Sequence, residues 1–207
     1  MSATTTVHVV DDDPAMRDSL RMLLEASGFT VRAYDSAAAF LAEAPSASGC
    51  VLTDVRMPEI DGLELQRRLH GQHLPLSVIV MTGEGDIALA VSAMREGAVD
   101  FLEKPFEADA LIEAIHRALE QSERLREAGA TVARAAARLA SLTPREREVL
   151  DLLVTGLPNK AVANKLGASP RTIEVHRARV FEKLQARGLP DLVRLVLAAE
   201  PGEARRS

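Results

Sequence analysis

Apolar residues along this chain recur with two different spacings. Val7–Val10 is a short continuous run that stops at three aspartates, Asp11, Asp12 and Asp13. From Pro14 to Ala26 the period becomes helical, with Leu20, Leu23 and Leu24 on one side and Gly28 as the stop. Thr30–Tyr34 reads as a strand, and Ser36 is placed to cap a helix through Phe40 and Leu41. Val51–Thr53 reads as a buried strand, Leu63–Leu69 as a helix and Ser77–Thr82 as a strand. Ile87–Met94 is helical up to Gly97, Val99–Leu102 is a strand, and Ala108–Leu119 is helical. Five such alternations predict a parallel sheet with helices on both faces.

The pattern changes after Gln121. Up to Ala140 the chain is rich in Ala, Glu and Arg, which propagate a helix but bury little. It reads as a helical linker prolonging the preceding helix, with a loose tether as the alternative. Beyond Leu142 only helical periods remain. Thr143-Pro144-Arg145-Glu146 has the form of a capping box, followed by an apolar stripe of Val149, Leu150 and Leu153 and a stop at Gly156. Asn159–Leu166 ends at Gly167, Ser169-Pro170 opens a helix to Leu184, and Leu189–Ala198 makes a fourth. Two short helices around a Gly-containing turn predict a helix-turn-helix. The expected layout is an α/β domain at 1–122, a helical linker at 123–140 and a small all-α domain at 141–207.

Charge sharpens this division. The net charge of −5 conceals −11 over residues 1–122 and +4 over residues 141–207. An acidic front and a basic back suit different partners, the back one polyanionic. The single cysteine, Cys50, forms no internal disulfide and opens an apolar run, so it is expected as a small buried hydrophobe in a reducing compartment. Met1–Thr6 has no export-signal pattern, and no apolar run approaches the roughly 20 residues of a membrane helix. A cytoplasmic protein with no membrane partner is the expectation.

In a parallel α/β sheet, ligand sites form at the carboxyl ends of the strands. Asp11, Asp12 and Asp13 follow the first strand, Asp54 the third, Thr82 ends the fourth, and Lys104-Pro105 follow the fifth. Asp13, just ahead of Pro14, reads as a helix cap. The other carboxylates would repel without a cation, and an oxygen-only donor set suits Mg²⁺ or Mn²⁺. Lys104 can meet an oxyanion as a point charge, and Thr82 can donate to a phosphoryl oxygen. A carboxylate so placed is a credible phosphoryl acceptor.

Val9-Val10-Asp11-Asp12-Asp13, Thr53-Asp54-Val55-Arg56-Met57-Pro58, Met81-Thr82-Gly83 and Phe101-Leu102-Glu103-Lys104-Pro105-Phe106 resemble the receiver domain of two-component response regulators. The resemblance implies a flavodoxin-like five-stranded fold and Asp54 as phosphoacceptor. It implies Asp11, Asp12, Asp54 and the main-chain carbonyl of Arg56 as metal ligands. It implies Thr82 and Phe101 as a switch pair, Lys104 as the phosphoryl contact, and a sensor histidine kinase as donor. It further implies a homodimer formed on phosphorylation through helix 87–96 and strand 99–103.

On the third helix of the back domain, Arg171, Glu174, Val175, Ala178 and Arg179 share one face, opposite Ile173, Val180 and Leu184. Small and polar residues on such a face suit a major groove, and the amino end with Thr172 suits a phosphate. Lys160, Lys165, Arg177 and Lys183 add flanking charge, while a lone His176 is no metal site. Leu142-Thr143-Pro144-Arg145-Glu146, Gly156-Leu157-Pro158-Asn159-Lys160 and Thr172-Ile173-Glu174-Val175-His176-Arg177 resemble the LuxR-type four-helix DNA-binding domain. With a receiver ahead of it, the chain resembles the NarL/FixJ class of transcription regulators, most of all its FixJ subgroup. That implies contact with double-stranded promoter DNA by Lys160, Arg171, Thr172, Glu174, Val175, His176, Arg177, Arg179 and Lys183. An Mg²⁺-dependent phosphatase with an Asp nucleophile is the enzyme alternative. It needs an acid two residues after Asp54, where Arg56 stands. A flavin carrier is the other, and three aspartates after strand one would repel a flavin phosphate.

Overall fold

The computed structural model describes residues 6–83 and 87–199. The amino-terminal stretch read above for an export signal lies, but for Thr6, outside them. The chain divides into two compact units, Met1–Glu127 and Ala128–Ser207.

In the first unit, β1 (Thr6–Val10), α1 (Pro14–Ala26), β2 (Thr30–Tyr34), α2 (Ala37–Glu43), β3 (Gly49–Asp54), α3 (Gly62–Gly71), β4 (Leu76–Thr82), α4 (Ile87–Arg95) and β5 (Asp100–Glu103) alternate. They are followed by α5 (Ala108–Ala140). The sheet order is β2-β1-β3-β4-β5, and every pairing is parallel. This is the flavodoxin-like arrangement. β3 and β4 are buried along their whole length, whereas edge strand β2 buries only Tyr34. That explains their continuous apolar runs. Leu20 and Leu24 of α1 pack with Leu111, Ala114 and Ile115 of α5 on one face. Phe40 of α2, Leu65 and Leu69 of α3 and Ala93 of α4 cover the other. Each fully buried leucine contributes about 2 kcal/mol. Cys50 lies in the core as expected, and burial pushes its thiol up to about 12, so it stays protonated at neutral pH.

One tie closes the end of the sheet away from the acidic cluster. Ser122 of α5 is buried, donates to the Gly49 carbonyl at 2.6 Å and accepts from the Ser77 amide at 2.9 Å. Ser122→Ala leaves both strand ends unpaired and is expected to cost about 1–3 kcal/mol in urea unfolding, with an unchanged denaturant slope. A midpoint equal to wild type would show that the tie is idle.

The second unit contains the end of α5, α6 (Pro144–Leu153), α7 (Asn159–Leu166), α8 (Pro170–Leu184) and α9 (Leu189–Ala199). The predicted capping box is formed at α6: Thr143 accepts from the Glu146 amide, and the Glu146 carboxylate accepts from the Thr143 amide. Val149 and Leu153 pack with Val162 and Ile173, and Leu150 packs with Val180, Leu184 and Leu192. Phe181 borders both clusters. The stretch read as a linker buries more than its composition suggested, because Leu139 of α5 joins the second cluster. No helix among the described residues is long and apolar enough to cross a membrane.

Candidate functional site

Parallel strand order brings Asp11, Asp54, Thr82 and Lys104 to one sheet edge, the first directly after β1 and the last directly after β5. Register aligns Val10 with Thr53 and Thr82 with Glu103. Lys104 then reaches both carboxylates, its Nζ lying 2.5 Å from Asp54 Oδ1 and 3.0 Å from Asp11 Oδ2. The two oxygens are therefore no farther apart than those two bonds together. Burial pulls the Lys104 ammonium down, but its bonds to Asp54 and Asp11 outweigh that and raise its pKa above the ordinary lysine value.

The main chain holds this cluster in place. Asp54 Oδ2 accepts from the Arg56 amide at 2.6 Å, and Asp11 Oδ1 from the Asp13 amide at 2.9 Å. The Lys104 amide donates to the Thr82 carbonyl at 2.7 Å, and the Lys104–Pro105 bond is cis. Gly62 starts α3 against the back of Asp54. A Cβ there would stand 2.2 Å from the Asp54 carbonyl oxygen, so only glycine lets the loop fold so close. Asp13 caps α1 through the Ala15 amide, as expected.

Not every predicted residue meets the others. Asp12 is exposed beside the cluster, and Thr82 is buried with its hydroxyl 3.4 Å from the Gly83 carbonyl. Phe101 is half-buried and lines a shallow apolar depression with Ala90, Val91, Met94, Arg95 and Asp100. Val91 and Met94 remain exposed there. Among the described residues no three His, Cys, Asp or Glu side chains converge as a metal cage. An octahedral Mg²⁺ keeps several of its waters and needs no such cage, and the oxygen-only donors fit it. Arg17 escaped the sequence reading: its Nη1 donates to the Asp11 carbonyl at 2.7 Å from one turn inside α1.

In the second unit, Ser169 caps α8 through the Thr172 amide at 3.1 Å. Arg171, Thr172, Glu174, Val175, Ala178 and Arg179 are exposed along α8, and Lys160 and Lys165 along α7. Other predicted contacts are drawn inward. Lys183 Nζ lies 2.6 Å from the buried Glu146 carboxylate and donates to the Ser141 carbonyl at 3.2 Å. Arg177 is half-buried against Asn159 and Phe181. His176 is half-buried, with Nδ1 lacking a hydrogen-bond partner.

Two family models match this chain, the response regulator receiver domain over residues 7–116 and the LuxR family of bacterial regulatory proteins over residues 140–196. The transcriptional regulatory protein FixJ of Bradyrhizobium diazoefficiens is 51% identical over 200 residues, covering 96% of this chain and 98% of its own. The tetrathionate response regulatory protein TtrR of Salmonella typhimurium is 42% identical, covering 91% of this chain and 90% of its own. Among solved structures, the response regulator StyR superposes with a TM-score of 0.81 at 42% identity, over 94% of this chain and 98% of that one. Full-length FixJ from B. japonicum gives 0.58 at 49% identity, over 98% and 100%. None of these supports the phosphatase alternative. An acidic cluster around a lysine on a flavodoxin-like sheet, a helix-turn-helix behind it and these full-length likenesses together establish that the chain belongs to the two-component response regulators of the NarL/FixJ class, FixJ-like transcription regulators with a receiver and a LuxR-type DNA-binding domain.

Proposed function

We propose that Asp54 takes the phosphoryl group from a sensor histidine kinase and that this event drives pairing of two chains on promoter DNA. The observation that carries the reading is the Lys104 ammonium bonded to both Asp54 and Asp11. It holds the acceptor carboxylate at a cationic point where three new phosphoryl oxygens would need neutralising. Asp11, Asp12, Asp54 and the Arg56 carbonyl would hold Mg²⁺, which supplies further charge neutralisation when bound. Thr82 and Phe101 would carry the change to the α4–β5 face, where exposed Val91 and Met94 offer apolar area for a second chain. The DNA-facing set is best supported for Arg171, Thr172, Glu174, Val175, Arg179 and Lys160, whose side chains are exposed. Lys183 acts within the fold. A bacterial cytoplasmic location follows from partners of this kind.

The test is chemical. Full-length chain incubated with acetyl phosphate and Mg²⁺ is expected to gain one phosphoryl group, labile to hydroxylamine and mapping to the peptide carrying Asp54. A hydroxylamine-stable group, or one on another peptide, would overturn the assignment.

A further inference from the structure

We propose that Arg177 is a positioning residue of the DNA-binding surface, locking the amino-terminal turn of α7 to α8 rather than touching DNA. The proposal rests on the DNA-binding reading above and narrows its contact set. Arg177 Nη1 donates to Asn159 Oδ1 at 3.0 Å, while its guanidinium carbon lies 5.3 Å from the Phe181 ring centroid. Edge and face of the same planar group are thus both engaged. Only arginine offers that combination, since an ammonium has no edge-and-face geometry.

The partners explain why the link matters. Asn159 is the first residue of α7, and the preceding cap position is Pro158, which makes no side-chain capping bond. The amino end of α7 is therefore held from α8 instead of by its own cap. Phe181, one helical turn beyond Arg177, packs against both core clusters of the unit, so the guanidinium rests on the best-anchored aromatic available. By contrast, Arg171, Arg179 and Lys160 are exposed and take part in no ion pair among the described residues. They remain available to phosphates. Helix-turn-helix binding needs backbone contacts from one helix and groove contacts from the next to be met together. Freeing α7 from α8 would weaken all of them at once.

The experiment uses the full-length chain with acetyl phosphate and Mg²⁺ in every arm, titrated onto a fluorescein-labelled mixed-sequence 30-bp duplex at low salt. Circular-dichroism melts ensure that each variant is folded at the assay temperature. Arg177→Ala, Arg177→Lys and Asn159→Ala are each expected to weaken binding about tenfold, and the Arg177→Ala/Asn159→Ala double variant no further than either single. Near-wild-type binding by Arg177→Lys would overturn the proposal, because charge alone would then suffice. So would a double-variant loss equal to the product of the singles, accompanied by a salt slope reduced by about one, the mark of a direct phosphate contact. Failure of the underlying reading is seen separately, as a wild-type chain that does not bind the duplex, and it removes both. Should Arg177→Ala not fold, the Arg177→Lys/Asn159→Ala double variant replaces it and is expected to lose no more than either single variant. A loss equal to the product of the two singles would overturn the proposal.

Discussion

Glu146→Ala is expected to destabilise the second unit by about 3 kcal/mol, which would dominate the unfolding curve of a small helical domain. Glu146 is buried, and its carboxylate serves two partners: the Thr143 amide at 2.8 Å, which closes the capping box, and Lys183 Nζ at 2.6 Å. Truncation removes one half of the capping box, leaving the Thr143 cap itself, and leaves an ammonium without its counter-charge. The cost is set below the top of the range for buried pairs because the Lys183 side chain keeps 35% exposure and can rehydrate. The bond from Lys183, then that from the Thr143 amide, holds the Glu146 carboxyl down at about 2, against an ordinary 4.5. Its folded pKa is depressed, so its stabilisation is complete above the unfolded value and fades as pH falls from about 4.5 toward 2. Urea midpoints across that window should fall steeply in wild type and more gently in Glu146→Gln. Equal slopes would remove the ion pair from the account.

Lys104→Met is expected to slow phosphoryl uptake from acetyl phosphate by about a hundredfold, the scale found when one preorganised charge is removed from a transfer site. Methionine matches the aliphatic stem, so the change isolates the ammonium. Without it Asp11 and Asp54 face one another uncompensated, and the arriving phosphoryl oxygens meet two carboxylates instead of a cation. Because Mg²⁺ would then carry more of the charge neutralisation, uptake should also depend more steeply on its concentration. Uptake within a factor of about three of wild type would mean that the Lys104 contact in the resting protein has no part in transfer.

What was readable in the sequence is what depends on period and strand ends. Asp11, Asp54, Thr82 and Lys104 could be brought together because a parallel sheet delivers the residue after each strand to one edge, whatever the helices do. The capping box at Thr143 and Glu146 was visible because it is local. Side-chain direction was not. Lys183 and Arg177 look like flanking positive charge in sequence, but their long stems fold back to Glu146 and Asn159, which lie 37 and 18 positions away. Nothing local marks such pairs. Arg17 is hidden for a different reason: its partner is only six positions away but is a main-chain carbonyl, which no residue type marks. His8 is another case: it sits in an apolar strand, and its bonds to Tyr34 and to the Ser48 carbonyl appear only once β1, β2 and the turn before β3 are assembled. The stretch after Gln121 carries little signal beyond its composition, and only folding shows that Ser122 and Leu139 are buried at its two ends.

The claim that phosphorylation of Asp54 controls DNA binding is tested most directly by duplex affinity and oligomer mass, with and without acetyl phosphate, in wild type and Asp54→Asn. Wild type is expected to gain about tenfold or more in affinity and to double in mass, whereas Asp54→Asn stays at the unphosphorylated level in both. An equal response of the two proteins to the phosphodonor would contradict it.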